Sequence, residues 1–352
     1  MAASRRATIL GTGRRVFGRI GRVKAARKTR QQHVVSKVLL KQFAMDEPDD
    51  RGPQVRPVDV HFPERSNKLK SARACGWADN FIAYDSASAE DLWNSVEVRA
   101  PAAFKAVHAG TPFADPLHVE TLRDLIVLHY VRSHRSRDVY ANAFTTVRKK
   151  IPGELVERFP EPLRREALRQ TGLHLTGSDA LTAFAERLVE QSEVTQDFGS
   201  GALFRTSIES MFHKVRAKSS NWHLELLRPE SGQFLIGDNP ALSVRTDTTP
   251  WLCNMAIGDA HSMVLPISPR HLLALGRQNI AGTIPRASVD QLNTVQVLAA
   301  DRYVYMHPRS TRLEAFARET AKRWRPDPVS PYRASTSATG RRSVPGPNPG
   351  VT

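Results

Sequence analysis

Cysteine is almost missing from this chain of 352 residues, which has only Cys75 and Cys253. The two stand far apart, and neither has a Cys or His neighbour at metal-ligand spacing. A disulfide framework and a structural zinc site are therefore excluded, and two reduced, unpaired thiols are expected. Long apolar runs are missing as well. No stretch is long enough to cross a bilayer, and no apolar h-region near the start marks a secretory signal. The expectation is a cytoplasmic chain that makes no membrane contact. There is also no P-loop, nucleophile elbow or H-E-x-x-H, so the familiar phosphate-cradling, serine-hydrolase and zincin signatures do not apply.

Acid is absent from residues 1–45, which carry twelve Lys or Arg, and residues 321–352 set six Lys or Arg against Asp327 alone. Of the formal net charge of +16, that leaves −1 for residues 46–320. The basicity belongs to the two ends, which argues against a folded domain that reads DNA with a basic face. Residues 1–30 are expected to form a basic, disordered arm, and residues 326–352 a disordered tail. Such an arm can hold phosphates through counterion release, which makes nucleic acid or another acidic molecule its candidate partner. Within the arm, "ILGTGRRVFGRIGR" imitates a dinucleotide fingerprint, but the required third glycine falls on Val16 and the first acid is Asp46.

What is present reads as one α+β domain over residues 31–325, with a helical part (31–218) and a sheet part (219–325). A short helix is expected to start near His33 in "QQHVVSKVLLKQFA". Residues 46–65 read as a Pro- and Asp-rich loop with a short strand near 58–62. Another helix runs from about Ala89, capped by Ser86 or Ser88, until Pro101 kinks or interrupts it. Residues 115–217 read as mainly helical, with connections near 152–160 and 172–177 and helices over 162–170, 178–190 and 202–215. The period then changes to two. "RPESG" turns a strand at Trp222–Leu226 back into "QFLIG", and strands follow at 262–266, 271–275 and 303–306. Helices at 289–300 and 313–323 complete the order. The expected architecture is a helical N-terminal two-thirds packed on a mostly antiparallel C-terminal sheet.

Taken in order, several stretches resemble one bacterial family of unknown function. Its members open with His-x-Val-Pro-x-x-x-Leu-x-x-Phe, continue with a Glu-containing helix and an Arg-bearing helix, and end with Phe-Ile-x-x-Asp-Asn-Pro and Pro-Leu-Ser-Pro strands. The matching stretches here are "HVVSKVLLKQFA", "AEDLWNSVEVRA", "LIVLHYVRSHRSRDVY", "FLIGDNPALSV" and "VLPISPRHLLAL", spanning about residues 31 to 310. Ser36 stands where the family usually has proline, which leaves the segment after His33 freer to be helical. The resemblance implies a shared architecture and no known activity.

The residues themselves supply the candidate chemistry. His33 can serve as acid, base or metal ligand, or simply cap a helix start. Glu90 and Glu97 lie two helical turns apart on one face with Trp93, so Glu97 needs a partner. Arg132, continuing an apolar stripe, is the expected one. Such a pair orients two helices or grips a polar substrate. Arg132 with Arg135 is a candidate phosphate grip. Asp238, in "IGDNPA", is expected to accept hydrogen bonds from backbone groups two or three residues on, and can also hold a metal or polarise water. Two functions follow. In one, His33, Glu97 and Asp238 are catalytic and Arg132 and Arg135 bind a phosphate-bearing substrate, nucleic acid or nucleotide, with a divalent metal on His33 and Asp238 as candidate cofactor. In the other, the chain is a non-catalytic interaction module tethered by its arm. Convergence of these side chains in one cleft distinguishes the two.

Overall fold

The computed structural model describes residues 31–46, 52–66, 68–82, 87–248, 251–276 and 281–323. The expected arm and tail, and the cap candidate Ser86, lie outside them. The described chain begins with β1 (Gln31–His33), α1 (Lys37–Leu40), β2 (Gln54–Asp59), β3 (Lys70–Ser71) and β4 (Trp77–Asp79). A helical block follows: α2 (Ala87–Glu97), α3 (Ala100–His108), α4 (Pro116–Val131), α5 (His134–Arg158), α6 (Pro160–Thr171), α7 (Ser178–Gln191), α8 (Glu193–Ser200) and α9 (Ala202–Lys218). Strands β5 (His223–Pro229), β6 (Ile236–Gly237), β7 (Leu242–Arg245), β8 (Leu252–Cys253), β9 (Ser262–Ser268), β10 (His271–Gly276) and β11 (Ala281–Ile284) come next. Then α10 (Arg286–Ala299), β12 (Tyr303–Met306) and α11 (Thr311–Arg323) close the order. No helix among the described residues is long and apolar enough to cross a membrane.

The fold is α+β. Among the described residues the strands form three sheets: a β1–β4 ribbon, a four-stranded sheet in the order β3-β2-β12-β6, and a six-stranded sheet in the order β11-β5-β10-β9-β7-β8. Pairing is antiparallel throughout, except that β11 runs parallel to β5. The ribbon and half of the four-stranded sheet come from the first 79 residues, so the sheet content is not confined to the C-terminal part.

The central strands show why a period of two is read so clearly there. Along β10, Leu273 and Leu275 join a core shared with α2, α3, α4 and α9, while Leu272 and Ala274 join a second core under α10. Along β9, Met263, Leu265 and Ile267 face the first core and Val264 the second. A sheet covered on both faces reads as a continuous apolar run. Each fully buried Leu of these strands contributes about 1.5–3 kcal/mol. Cap chemistry sets the helix starts that matter for the site. The Asp115 side chain accepts from Leu117 N at 2.8 Å ahead of Pro116, and the Ser133 hydroxyl accepts from Ser136 N at 3.1 Å. Pro101 opens α3 rather than bending α2, as a proline in a first turn should.

Three local expectations are corrected. His33 ends a strand instead of starting a helix, because the chain bends at Val34 and Val35, whose N–H groups both bond the Gly76 carbonyl, and after Ser36 (φ −55°, ψ 135°) turns helical only at Lys37. The expected connection after Pro152 is helix: α5 runs on to Arg158 with Pro152 buried in its interior, and packing against α7 overrides the local signal. "QFLIG" does not pair with β5. Side chains of α10 hold it instead, Asn293 accepting from Leu235 N at 3.0 Å and Gln296 from Gly237 N at 2.8 Å, and β6 joins β12 in the other sheet. A Cβ at Gly237 would lie 3.0 Å from the Gln296 carbonyl, so the close approach of α10 needs glycine.

Candidate functional site

Helix α2 presents Glu90, Trp93, Asn94 and Glu97, the i, i+3, i+4, i+7 stripe of one helix face, to a cleft of about 300 Å³. The opposite wall carries Gln31, Gln32 and His33 of β1 with Lys37 of α1, and Arg132 comes from the end of α4. Beneath it lies a buried polar network. Arg132, 2% exposed, donates through Nη2 to Glu97 Oε1 at 2.6 Å and to Ser36 Oγ at 2.7 Å. Its guanidinium lies 4.8 Å from the Trp93 ring centroid. The Ser36 hydroxyl donates to Glu97 Oε1 at 2.7 Å. His129, fully buried, donates through Nδ1 to the Leu125 carbonyl at 2.9 Å, while its Nε2 accepts from Ser36 N at 3.2 Å.

This bonding fixes His129 as a neutral imidazole. Burial holds it far below the usual histidine value, at about 3, and the neighbouring Arg132 charge acts the same way. Burial pushes the Glu97 carboxyl up, but the Arg132 charge and the hydrogen bonds from Ser36 and Arg132 outweigh that, and the net displacement is downward. Ser36 Oγ lies 2.7 Å from His129 Nε2, the spacing of a nucleophile and its base. Ser36 is fully buried and does not line the cleft, however, so this pair is a frame rather than a nucleophile.

His33 differs from that frame. Burial lowers its imidazole below the usual value, opposed by a hydrogen bond to the Arg73 backbone and assisted by Arg132, so it is neutral at pH 7. Its Nε2 is buried and has no hydrogen-bond partner. The same holds for Trp93 Nε1 and Arg132 Nε. Three buried polar atoms without partners thus belong to residues lining one cleft. Each such atom costs about 1–3 kcal/mol unless something bonds it.

Asp238 sits elsewhere. It lies where the chain crosses from the four-stranded sheet at β6 to the six-stranded sheet at β7, so Asp238-Asn239-Pro240 is a crossover and not a hairpin turn. Its carboxylate accepts from the backbone N–H groups of Asp301, Arg302 and Tyr303 at 2.7–2.8 Å, over sixty residues on rather than two or three. Burial pushes its carboxyl up to about 6; His134 and these N–H groups pull the other way, and Asp301 adds to the rise. Asn239 completes the clamp, donating to the Ala299 carbonyl at 2.7 Å and accepting from Arg135 N at 3.3 Å.

Asp238 and His134 line a second cleft of about 280 Å³ with Cys75, Trp77, Tyr303 and Tyr305. The structure therefore brings His33, Glu97 and Arg132 together, places Asp238 in a different cleft, and leaves Arg135 lining neither. Among the described residues no group of three or more His, Cys, Asp or Glu could hold a metal ion, and His33 and Asp238 do not converge on one. Sequence reasoning did not single out His129, Ser36 as a hydrogen-bonding hub, or the Trp93 indole N–H. The apolar stripe containing His129 was visible, but the bonds that join Ser36 to His129 and to Arg132 span 93 and 96 residues.

No curated protein and no solved structure matches the chain. A family model described as a protein of unknown function (DUF4238) matches residues 31–310, which bears out the resemblance seen in the motifs. The chain belongs to this family of unknown function, DUF4238.

Proposed function

We propose that the His33 cleft binds a small, acceptor-rich, phosphate-bearing molecule of nucleotide class, and that His33 acts on it as a general base. The observation that supports this most strongly is the set of unpartnered buried atoms carried by residues that line it. Two of the three, Trp93 Nε1–H and Arg132 Nε–H, are donors, and Lys37 adds an ammonium. Among these unpartnered atoms donors outnumber acceptors, which favours a ligand that brings acceptor oxygens. The third atom, Nε2 of a neutral His33, is where a base should stand. A volume near 300 Å³ lies at the small end for ligand pockets, which favours a nucleotide or part of one over a duplex. Glu97 is already bound by Arg132 and Ser36, so its role in this reading is to hold Arg132 in place.

The test is turnover by the full chain and its His33→Ala variant. Release of inorganic phosphate or base from mononucleotides is followed alongside cleavage of single-stranded DNA and RNA. The proposal expects turnover by the parent that drops at least a hundredfold in the variant at unchanged melting temperature. If His33→Ala instead melts early and neither protein turns anything over, the polar residues are structural pairs and the interaction-module reading takes its place.

A further inference from the structure

The second cleft, lined by β4 and by residues of β2, β3 and the inner strand β12 of the four-stranded sheet, shares no lining residue with the His33 cleft. Both signs of charge line it. Lys70 makes no ion pair among the described residues, and its ammonium lies 5.6 Å from the Tyr303 ring centroid. Arg302 is on the same side, paired with the buried Asp59 at 3.1 Å and 5.1 Å from the same ring. Asp301 is exposed and also without an ion pair among the described residues, and the buried Asp238 lies behind it. Trp77, 40% exposed, stands in the lining with its indole N–H already given to the Ala74 carbonyl at 3.0 Å, so its ring is free for contact. Tyr305 is 3% exposed. Its hydroxyl accepts from Gly76 N at 3.1 Å, while its own hydrogen has no acceptor among the described residues.

These features constrain a ligand from both directions. The buried Tyr305 O–H and the Lys70 ammonium call for an acceptor carrying negative charge. The same cleft sets Asp79, Asp238 and Asp301 against any purely anionic molecule, just as Lys70 and Arg302 oppose a purely cationic one. A molecule that carries both charges meets each with its opposite. We infer that this cleft is a binding site for a small zwitterion of α-amino-acid type. Its carboxylate is held by Lys70 and the Tyr305 hydroxyl, its ammonium faces Asp301, and its side chain lies against Trp77. A volume of about 280 Å³ suits a molecule of that size.

The experiment is titration calorimetry of the full chain against the twenty proteinogenic amino acids. For any that bind, the matching amine without the carboxylate and the matching acid without the ammonium are titrated too. The expected result is saturable binding of one or more amino acids, weakened at least tenfold in both Lys70→Met and Asp301→Asn, each melting like the parent. Neither half-molecule binds comparably, and His33→Ala leaves the affinity unchanged, which keeps this site independent of the nucleotide reading. No binding across the panel, or an amine or acid that binds as tightly as its amino acid, overturns the inference.

Discussion

Arg132 and Glu97 meet at 2.6 Å, and the rest of the polar frame is arranged around that contact. The arginine is almost wholly buried and comes from the end of α4, while the carboxylate closes α2. Removing one member of a buried pair strands the other, at a cost of about 3–5 kcal/mol. Glu97→Gln is therefore expected to lower the urea-unfolding free energy by about 3 kcal/mol at pH 7. The parent's advantage should also depend on pH. A carboxyl held below its usual 4.5 stabilises the fold above that pH and loses the contribution as pH falls through the folded value. Parent and variant should converge in denaturant titrations as pH falls below about 4.5.

His129 contributes a slope of the same sign, set by a larger downward displacement. Its folded value lies near 3 against 6.5 for a free imidazole, so the unfolded chain takes up a proton that the folded chain refuses. Stability is fully present above about pH 6.5 and falls as pH drops toward 3, by about 1.4 kcal/mol per pH unit for this one group. His129→Gln should flatten that slope between pH 6 and 4.5, as read by unfolding free energy at each pH. His271, lowered to about 4 by its own burial, keeps a residual slope in the variant.

Gly76 joins the two clefts. Its carbonyl accepts from Val34 N at 2.7 Å and Val35 N at 2.9 Å, beside Ser36, and its N–H is held by Tyr305. Its φ is +69°, and an added Cβ would stand 2.9 Å from Leu40 Cδ1 and Val35 Cβ. Gly76→Ala combines left-handed strain with overpacking and should cost about 2–4 kcal/mol. Differential scanning calorimetry checks this.

Asp238→Asn replaces a carboxylate that serves three N–H donors with a group that brings its own N–H toward them. A loss of at least about 2 kcal/mol is expected in chemical denaturation, since hydrogen bonds to a charged group are each worth about 1.5–3 kcal/mol. The response of the His33 cleft to nucleotides should not change, because the two sites line different cavities.

Much of this molecule was legible in its sequence because period and punctuation are local. The strands around Leu265 and Leu273, the break at Pro101 and the common face of Glu90, Trp93 and Glu97 all follow from neighbours a few residues apart. The Glu97–Arg132 pair was readable too, since each residue interrupts an apolar stripe and needs a partner of opposite charge. What escaped was set at long range. The clamp on Asp238 lies 63–65 residues away, β6 is directed by α10, and Pro152 is carried inside α5 by packing with α7. Ser36 shows the limit most plainly. Its extended φ of −55° is one that proline also adopts, so the family's usual residue fits the backbone there, yet the hydroxyl's bonds to Glu97 and Arg132 appear only in three dimensions.

The central claim is that His33 serves a ligand while the network beneath it serves the fold. The most direct measurement is the melting temperature of the full chain, His33→Ala and Glu97→Gln, each with and without inorganic phosphate and mononucleotides. The account expects Glu97→Gln to melt several degrees early. His33→Ala should melt like the parent yet lose the stabilisation that a nucleotide gives the parent. If His33→Ala melts as early as Glu97→Gln, and no phosphate-bearing molecule shifts the parent, the claim is contradicted and His33 belongs to the frame.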